Sequence, residues 1–313
     1  MLQQTHTKPM PLRTRLAPTP SGYLHLGNVL SFAITWALAR QQQGTVILRI
    51  DDLDNARFRP EYLQDIFDTL HFAGLDYDEG PANAADFLAN YSQHLRLPQY
   101  RATLQELVNQ GLVYACPCSR KQLATYHISS NHACKHTRHP LTLPDTAWRV
   151  HIPEHVEIKF EDLLLQTCTI PIAAAIPDFV VQRKEGIPAY QVASLTDDLE
   201  MEVNLIVRGE DLITSTAAQL YLAQQLSNRD FVTTAFVHHP VVLEPNGHKL
   251  SKSHASLSIK EMRQNNLSSK GLWSILASIV GLDNREIEDA SGFLDNFSLE
   301  TLQKINRDSL QTI

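Results

Sequence analysis

Arg13-Thr14-Arg15-Leu16-Ala17-Pro18-Thr19-Pro20-Ser21-Gly22-Tyr23-Leu24-His25-Leu26-Gly27-Asn28 is the stretch whose reading decides the fold. Arg13 to Ala17 reads as a short strand, and the Pro/Ser/Gly cluster after it is a turn. From His25 to Gln43 the apolar residues Leu26, Leu30, Ile34, Ala37 and Leu38 recur at three- and four-residue spacing. That spacing predicts a helix, with Gly44 ending it. Thr45 to Ile50 is an apolar, β-branched run and predicts a buried parallel strand. A second helix is predicted from Pro60 to Ala73, with proline in its first turn. Strand, glycine-containing turn, helix, strand, helix is the opening of a doubly wound α/β nucleotide-binding fold.

Further along the chain the pattern changes and then returns. Leu95–Gln110 is helix-like and leads into Tyr114-Ala115-Cys116 and a loop rich in Cys and His up to His139. Trp148–Ile152, Val156–Phe160 and Phe179–Arg183 read as strands, the last followed by a hairpin-like Lys184-Glu185-Gly186-Ile187-Pro188. The α/β pattern resumes with a strand at Val203–Val207, a helix at Thr214–Leu226 and a strand at Ala235–His239. Ile259–Gln264, Lys270–Val280 and Leu299–Ile305 look helical. The expected division is a first half of the nucleotide-binding domain over 12–111 and an insertion over 112–189. The second half follows over 190–255, and a short helical region over 256–313.

Composition narrows the class. The chain has 313 residues, 43% of them hydrophobic, and 27 Lys+Arg stand against 34 Asp+Glu for a net charge of -7. That suits a packed globular protein and argues against a bulk polyanion binder, while a local basic face for RNA stays open. The longest apolar stretches, such as Leu163 to Pro177, are interrupted and fall short of a bilayer span. Met1 to Pro11 is polar with no apolar core of a secretory signal, so a soluble cytoplasmic protein is expected. Nothing in the sequence demands more than a monomer. Four cysteines are too few for a disulfide scaffold, and Cys116 and Cys118 sit too close in sequence to bridge without strain.

Three groups of residues carry chemistry. His25-Leu26-Gly27-Asn28 lies on a strand-to-helix turn, where backbone N–H groups favour an anion such as a triphosphate. Gly27 would let a flat ligand approach the backbone. Gly247-His248-Lys249-Leu250-Ser251-Lys252-Ser253 sets two lysines and two serines on a glycine-anchored loop, suited to surrounding a pentacoordinate phosphorus. Each string alone also fits a plainer role, a capped turn in one case and an exposed basic turn in the other. Cys116, Cys118 and Cys134 offer three thiolates with Tyr126, His127, Ser130, His132 and His136 nearby, which suits Zn²⁺ and its four ligands. Reduced thiols without metal are the other reading.

Taken together, His25-Leu26-Gly27-Asn28 and Lys249-Leu250-Ser251-Lys252-Ser253 resemble the "HIGH" and "KMSKS" signatures of class I aminoacyl-tRNA synthetases. Arg15–Gly22, Arg49-Ile50-Asp51-Asp52-Leu53-Asp54 and Val207-Arg208-Gly209-Glu210-Asp211-Leu212 resemble motifs of the glutamyl branch, and the resemblance covers about residues 13–255. It implies a Rossmann-type domain split by a mixed α/β, zinc-containing insertion, with ATP, Mg²⁺ and L-glutamate as ligands. By the same resemblance His25, Gly27 and Lys252 would hold ATP. His25 and Asn28 would meet the phosphates and ribose, and Lys249 and Lys252 the charge that develops during reaction. Asp51 would take the α-ammonium of glutamate, and Arg15, Thr19, Tyr190 and Arg208 would shape and pair the substrate.

Asn28 stands where the general motif of the class has a second histidine, a substitution that the resemblance to this branch allows. Two positions depart from the branch pattern. Asp51 stands where glutamyl enzymes usually have Glu and glutaminyl enzymes Asp. Ser130 occupies the place of a zinc-binding tyrosine, so the fourth ligand falls to His132, His136 or Tyr126, with His132 preferred as an imidazole.

The chain after Ser253 leaves no room for the large helical region with which full glutamyl synthetases read the anticodon. The resemblance therefore narrows to the short paralogues of the branch. That implies transfer of glutamate to the queuosine base at the wobble position of tRNA(Asp), whose anticodon arm would lie where a full synthetase holds the acceptor stem. Two other readings stand beside it: a minimal synthetase charging the 3′ end of tRNA(Glu) or tRNA(Gln), and a non-catalytic paralogue that binds nucleotide or RNA.

Overall fold

A computed structural model describes residues 10–125, 133–137, 139–241 and 258–303. Lys249, Lys252, Tyr126 and His132 lie outside the described residues, as do the chain ends.

Strand β1 (Arg13–Leu16) pairs in parallel with β2 (Thr45–Leu48), Arg13 opposite Thr45 and Leu16 opposite Leu48. The two are joined by helix α1 (Leu26–Gln41), which is buried along most of its length, from Leu26 and Val29 to Leu38 and Ala39. The helix ends two residues before the expected Gln43, and Gln43 takes the left-handed φ of 53° in place of Gly44. Gly44 is needed for space: a Cβ there would stand 2.6 Å from Leu12 Cδ2. Beyond β2, Arg49 N–H donates to the Leu16 carbonyl at 2.9 Å and Asp51 N–H to that of Pro18 at 2.9 Å, so the strand direction is kept up to Asp51. Helix α2 (Pro60–Ala73) has the expected bounds and stops at Gly74, whose φ of 68° is the left-handed cap that glycine adopts without strain.

Strands β3 (Val113–Cys116), β4 (Ala147–Val150) and β7 (Val180–Gln182) form an antiparallel sheet in the order β3-β4-β7. Between them in sequence, β5 (Glu157–Asp162) and β6 (Gln166–Pro171) form a hairpin with Cys168 opposite Phe160. This hairpin joins the sheet of the later parallel strands and leaves β3, β4 and β7 as a sheet of their own. Its strand β5 meets β9 (Ala235–His239), which pairs in parallel with β8 (Leu205–Gly209), giving the order β6-β5-β9-β8. Strand β8 begins and ends two residues later than Val203–Val207, so Arg208 lies inside the strand and not after it. Next to β8 runs β1, with Thr14 Oγ1 donating to the Leu205 carbonyl at 2.8 Å and Asn204 N–H to that of Arg13 at 3.0 Å.

Among the described residues two large apolar cores form, beside a small cluster of Leu53, Tyr100 and Ala193. One gathers α1, α2, β1 and β2, and helices Ile259–Gln264, Ser269–Ile279 and Ala290–Asn296 pack into it. Trp273 is fully buried there, and its Nε1 donates to the Ala73 carbonyl at 2.9 Å. The other lies under β5, β8 and β9 and is covered by helices Tyr190–Glu200 and Ile213–Gln225. Among the described residues no helix is long and apolar enough to cross a membrane.

Candidate active site

In open α/β sheets ligands bind beyond the carboxyl ends of the parallel strands. A cavity of about 830 Å³ opens there, lined by Arg15, Thr19, His25, Gly27, Asn28, Asp51, Tyr190 and Arg208 among others. Every described residue singled out from the sequence for ATP or amino-acid chemistry thus meets in one place, drawn from the ends of β1, β2 and β8 and the first turns of α1 and Tyr190–Glu200.

His25 is the N-cap residue of α1. The glycine two residues on serves the histidine itself: a Cβ on Gly27 would stand 3.2 Å from both Cε1 and Nδ1 of the ring. Glycine lets the imidazole lie against the first helical turn, a closer reason for His-x-Gly than approach of a flat ligand. Asn28 Oδ1 accepts the His25 N–H at 3.1 Å, the reciprocal half of a capping box. That bond leaves its NH₂ for other partners.

Beneath the amino-acid residues lies a buried charge cluster. Arg15 Nε donates to Asp198 Oδ1 at 3.0 Å, and Arg49 Nη1 to the same oxygen at 2.6 Å. Arg49 Nε also donates to Asp51 Oδ1 at 2.7 Å, and Gln93 Nε2 reaches the same atom at 3.3 Å. Asp197 accepts from Arg96 at 2.7 Å, Gln93 at 2.8 Å and the Tyr100 hydroxyl at 2.8 Å. Burial pushes the Asp51 carboxyl above its ordinary value, and Arg49 opposes this. Burial also raises the Asp198 carboxyl in part, but the guanidinium groups of Arg49, Arg15 and Arg208 hold it below the usual range. Gln93, Asp197 and Asp198 were not among the residues singled out from the sequence, and Arg49 entered only as part of the motif Arg49–Asp54. The local signal for the aspartates is that they fall two helical turns after Tyr190 in a helix buried from Val192 to Asp198.

Arg208 stands apart in this cluster. It is buried, and its Nη2 donates to the neutral Gln219 Oε1 at 2.9 Å. Nε and Nη1 are buried without a hydrogen-bond partner. Burial, with Arg15 and Arg49 close by, lowers its basicity. A guanidinium with two unused donors on a cavity wall calls for an anion, and its planar fork matches a carboxylate.

Sγ atoms of Cys116, Cys118 and Cys134 lie within 4.8 Å of one another, with 3.5 Å between those of Cys118 and Cys134. Burial and the two neighbouring thiols push the Cys134 thiol up to about 12. Three converging sulfurs fit a soft divalent cation, which would hold them as thiolates. His136 is described but does not join the three. Cys168 is partly buried on β6. Lys184 Nζ donates to the Pro117 carbonyl at 2.5 Å and so fixes the Cys-Pro-Cys turn. A second cavity, of about 980 Å³, lies under this turn and shares Arg57 and Tyr190 with the first.

The family model for tRNA synthetases class I (E and Q), catalytic domain, matches residues 11–311, and the chain belongs to that family. It is similar to a Nitratidesulfovibrio vulgaris protein named glutamyl-Q tRNA(Asp) synthetase, 34% identical over 93% of this chain and 94% of that one. A Pseudomonas aeruginosa protein of the same name is 36% identical over 77% and 78%. Glutamate–tRNA ligase 2 of Syntrophus aciditrophicus is 33% identical over 95% of this chain, which spans 63% of that protein's length. A glutamate tRNA ligase structure from Elizabethkingia meningosepticum superposes with a TM-score of 0.75 over 96% of this chain and 68% of that one, at 22% identity, and shares the fold.

Proposed function

We propose that this chain activates L-glutamate with ATP as glutamyl-adenylate and passes the glutamyl group to the queuosine base at the wobble position of tRNA(Asp). Similarity to two proteins named for that activity supports the reading, and the observation that carries it is Arg208. Its Nε and Nη1 are buried and unpaired on a cavity wall that also holds His25, Gly27 and Asn28. Glutamate's side-chain carboxylate would take those donors, with Arg15 and Tyr190 beside it and Asp51 receiving the α-ammonium.

In the first step the α-carboxylate of glutamate attacks the α-phosphorus of ATP and pyrophosphate leaves. His25 and Asn28 at the start of α1 would receive the phosphates, and Lys249 and Lys252 would balance the charge on the reacting phosphorus. Mg²⁺ would accompany the triphosphate. Catalysis is then positioning and electrostatics, with no side-chain nucleophile. In the second step a hydroxyl of the modified base attacks the adenylate carbonyl and AMP leaves. Cys116, Cys118 and Cys134, with His132 as fourth ligand, would hold a structural zinc, and the enzyme would act as a cytoplasmic monomer.

Identity of 33% to a glutamate–tRNA ligase over 95% of the chain favours a second reading, charging of the tRNA 3′ end. Both are tested in one assay. Glutamate-dependent ATP–pyrophosphate exchange is measured without RNA, and then transfer of labelled glutamate to queuosine-containing tRNA(Asp) with and without its terminal adenosine. Exchange without RNA, and label retained after the 3′ end is removed, is the expected result. Label found only on intact 3′ ends of tRNA(Glu) or tRNA(Gln) would establish the second reading. Absence of exchange and transfer under every condition would refute both.

A further inference from the structure

Helix Ile213–Gln225 is buried from Thr216 to Ala223. Within that run Thr216 and Gln219 stand three residues apart and so on one face. Thr216 Oγ1 lies 2.7 Å from His238 Nε2, and Gln219 Oε1 accepts from Arg208 Nη2 at 2.9 Å. Arg208 and His238 are opposite each other across the β8–β9 ladder. One turn of the helix thus holds two neighbouring strand residues.

The two are treated differently. His238 has a carboxylate: its Nδ1 lies 2.7 Å from Asp162 Oδ2, to which its backbone N–H also donates at 3.0 Å. The other Asp162 oxygen is taken by the N–H groups of Leu164 and Leu165 at 2.9 and 2.8 Å. Asp198 is likewise committed, to Arg15 and Arg49. Among the described residues Arg208 makes no ion pair, and its guanidinium has only the Gln219 amide and the Phe236 ring, whose centre is 6.0 Å from Cζ.

Gln219 is fully buried and does not line the cavity, so it reaches a ligand only through Arg208. An arginine only donates, so the amide oxygen faces it and the NH₂ points away. That nitrogen is buried and without a partner among the described residues. A buried amide with its donors unused is costly, and a carboxylate of the same shape would have bonded the guanidinium more strongly. The neutrality of this side chain is therefore the feature to explain.

We propose that Gln219 is a positioning residue that fixes the Arg208 guanidinium while leaving its positive charge to the side-chain carboxylate of the substrate, and so sets the preference for glutamate over glutamine. A carboxylate at this place would neutralise the guanidinium from behind. An anionic substrate would then meet a closed ion pair, whereas the neutral amide of glutamine would lose little. The inference rests on the reading of the cavity as the glutamate site, and the test separates the two.

Parent, Gln219→Glu and Gln219→Met are compared in glutamate-dependent pyrophosphate exchange. The KM for glutamate, the KM for ATP, the inhibition constant of glutamine and the melting temperature are measured for each. Gln219→Glu should raise the KM for glutamate about 10- to 100-fold and move the other two constants less than about threefold. Its melting temperature should hold or rise, since it gives a buried cation a counter-charge. Gln219→Met loses the bond and not the charge, so the KM for glutamate should rise less than about tenfold with the preference over glutamine retained. An unchanged KM for glutamate in Gln219→Glu would overturn the proposal. So would an equal rise in the glutamine constant, or a lower melting temperature with every constant worsened, which would make Gln219 a packing residue. Equal loss of preference in Gln219→Met and Gln219→Glu would show that charge is not what matters and overturn it too. Exchange in the parent that does not depend on glutamate would refute the reading of the cavity, and this inference with it.

Discussion

Arg15 on β1 and Asp198 on the helix Tyr190–Glu200 form a buried ion pair with Nε and Oδ1 3.0 Å apart. The pair connects the first strand of the fold to a helix 183 residues away in sequence. Asp198 also holds Arg49 at 2.6 Å, so one carboxylate keeps two guanidinium groups charged inside the protein. Removing one partner of a buried pair leaves the other uncompensated. Asp198→Ala should lose about 3–5 kcal/mol of stability, read as a lower urea midpoint with an unchanged slope. A midpoint equal to the parent's would show that water or another side chain compensates the two arginines.

Arg208→Lys keeps the charge and loses the planar fork. Glutamate-dependent exchange should fall about 10- to 100-fold in kcat/KM, mostly through the KM for glutamate, because one bond to a charged partner is worth about 1.5–3 kcal/mol. An unchanged KM for glutamate would move the carboxylate site elsewhere.

Gly27→Ala places a methyl group 3.2 Å from the His25 ring. Alanine is the better helix former by about 1 kcal/mol, so thermal stability should hold or rise while exchange activity falls about tenfold as the imidazole is displaced. Loss of stability in step with activity would mean that the glycine serves the fold and not the ring.

Stability should fall on the acid side of neutrality. Burial lowers the proton affinity of His238 below its ordinary 6.5, despite Asp162, and does the same for His239. Unfolded chains take up protons near pH 6.5 that the folded protein refuses, so unfolding free energy rises with pH up to that value and then levels off. Burial raises the Asp162 carboxyl in part, but N–H donors from His238, Leu165 and Leu164 hold it below 3.8, and its contribution is lost only under strong acid. Urea midpoints taken across pH 5 to 8 should show the first slope, and His238→Asn should flatten it. An equal slope in parent and variant would place the titration on other groups.

About one zinc per purified chain is expected, and Cys118→Ser should lower both the metal content and the melting temperature. A metal-free parent with the same melting temperature before and after chelation would leave the three thiols as packing residues.

Much of this was readable in the sequence where the signal is local. Periodicity located α1, a first-turn proline marked α2, and the strand at Ala235–His239 has the expected bounds. Strand β6 escaped because Gln166, Thr167 and Thr169 interrupt the apolar stretch Leu163 to Pro177 and hide its strand character. Arg208 was recognised as a site residue, but the later start of β8 was not, since Val203 and Val207 suit a strand equally well. Beyond the Asp197-Asp198 pair and the motif that holds Arg49, the charge cluster has no local signature. Arg49 and Asp198 are 149 residues apart, and only the folded chain makes them partners. Gly27 carried a signal whose cause was hidden, for sequence gives the glycine and not the ring that needs its space.

Asp162 ends β5, far in sequence from β9, yet Leu163 N–H donates to the Phe236 carbonyl at 2.8 Å and His238 N–H to the Asp162 carboxylate. The β5–β6 hairpin therefore completes the sheet that β8 and β9 begin. Neither pair has a finished edge without the other, so the two should melt in one cooperative step. A protease that nicks the chain between them would free no folded fragment, and a hairpin exchanged between relatives would have to bring its own match for β9.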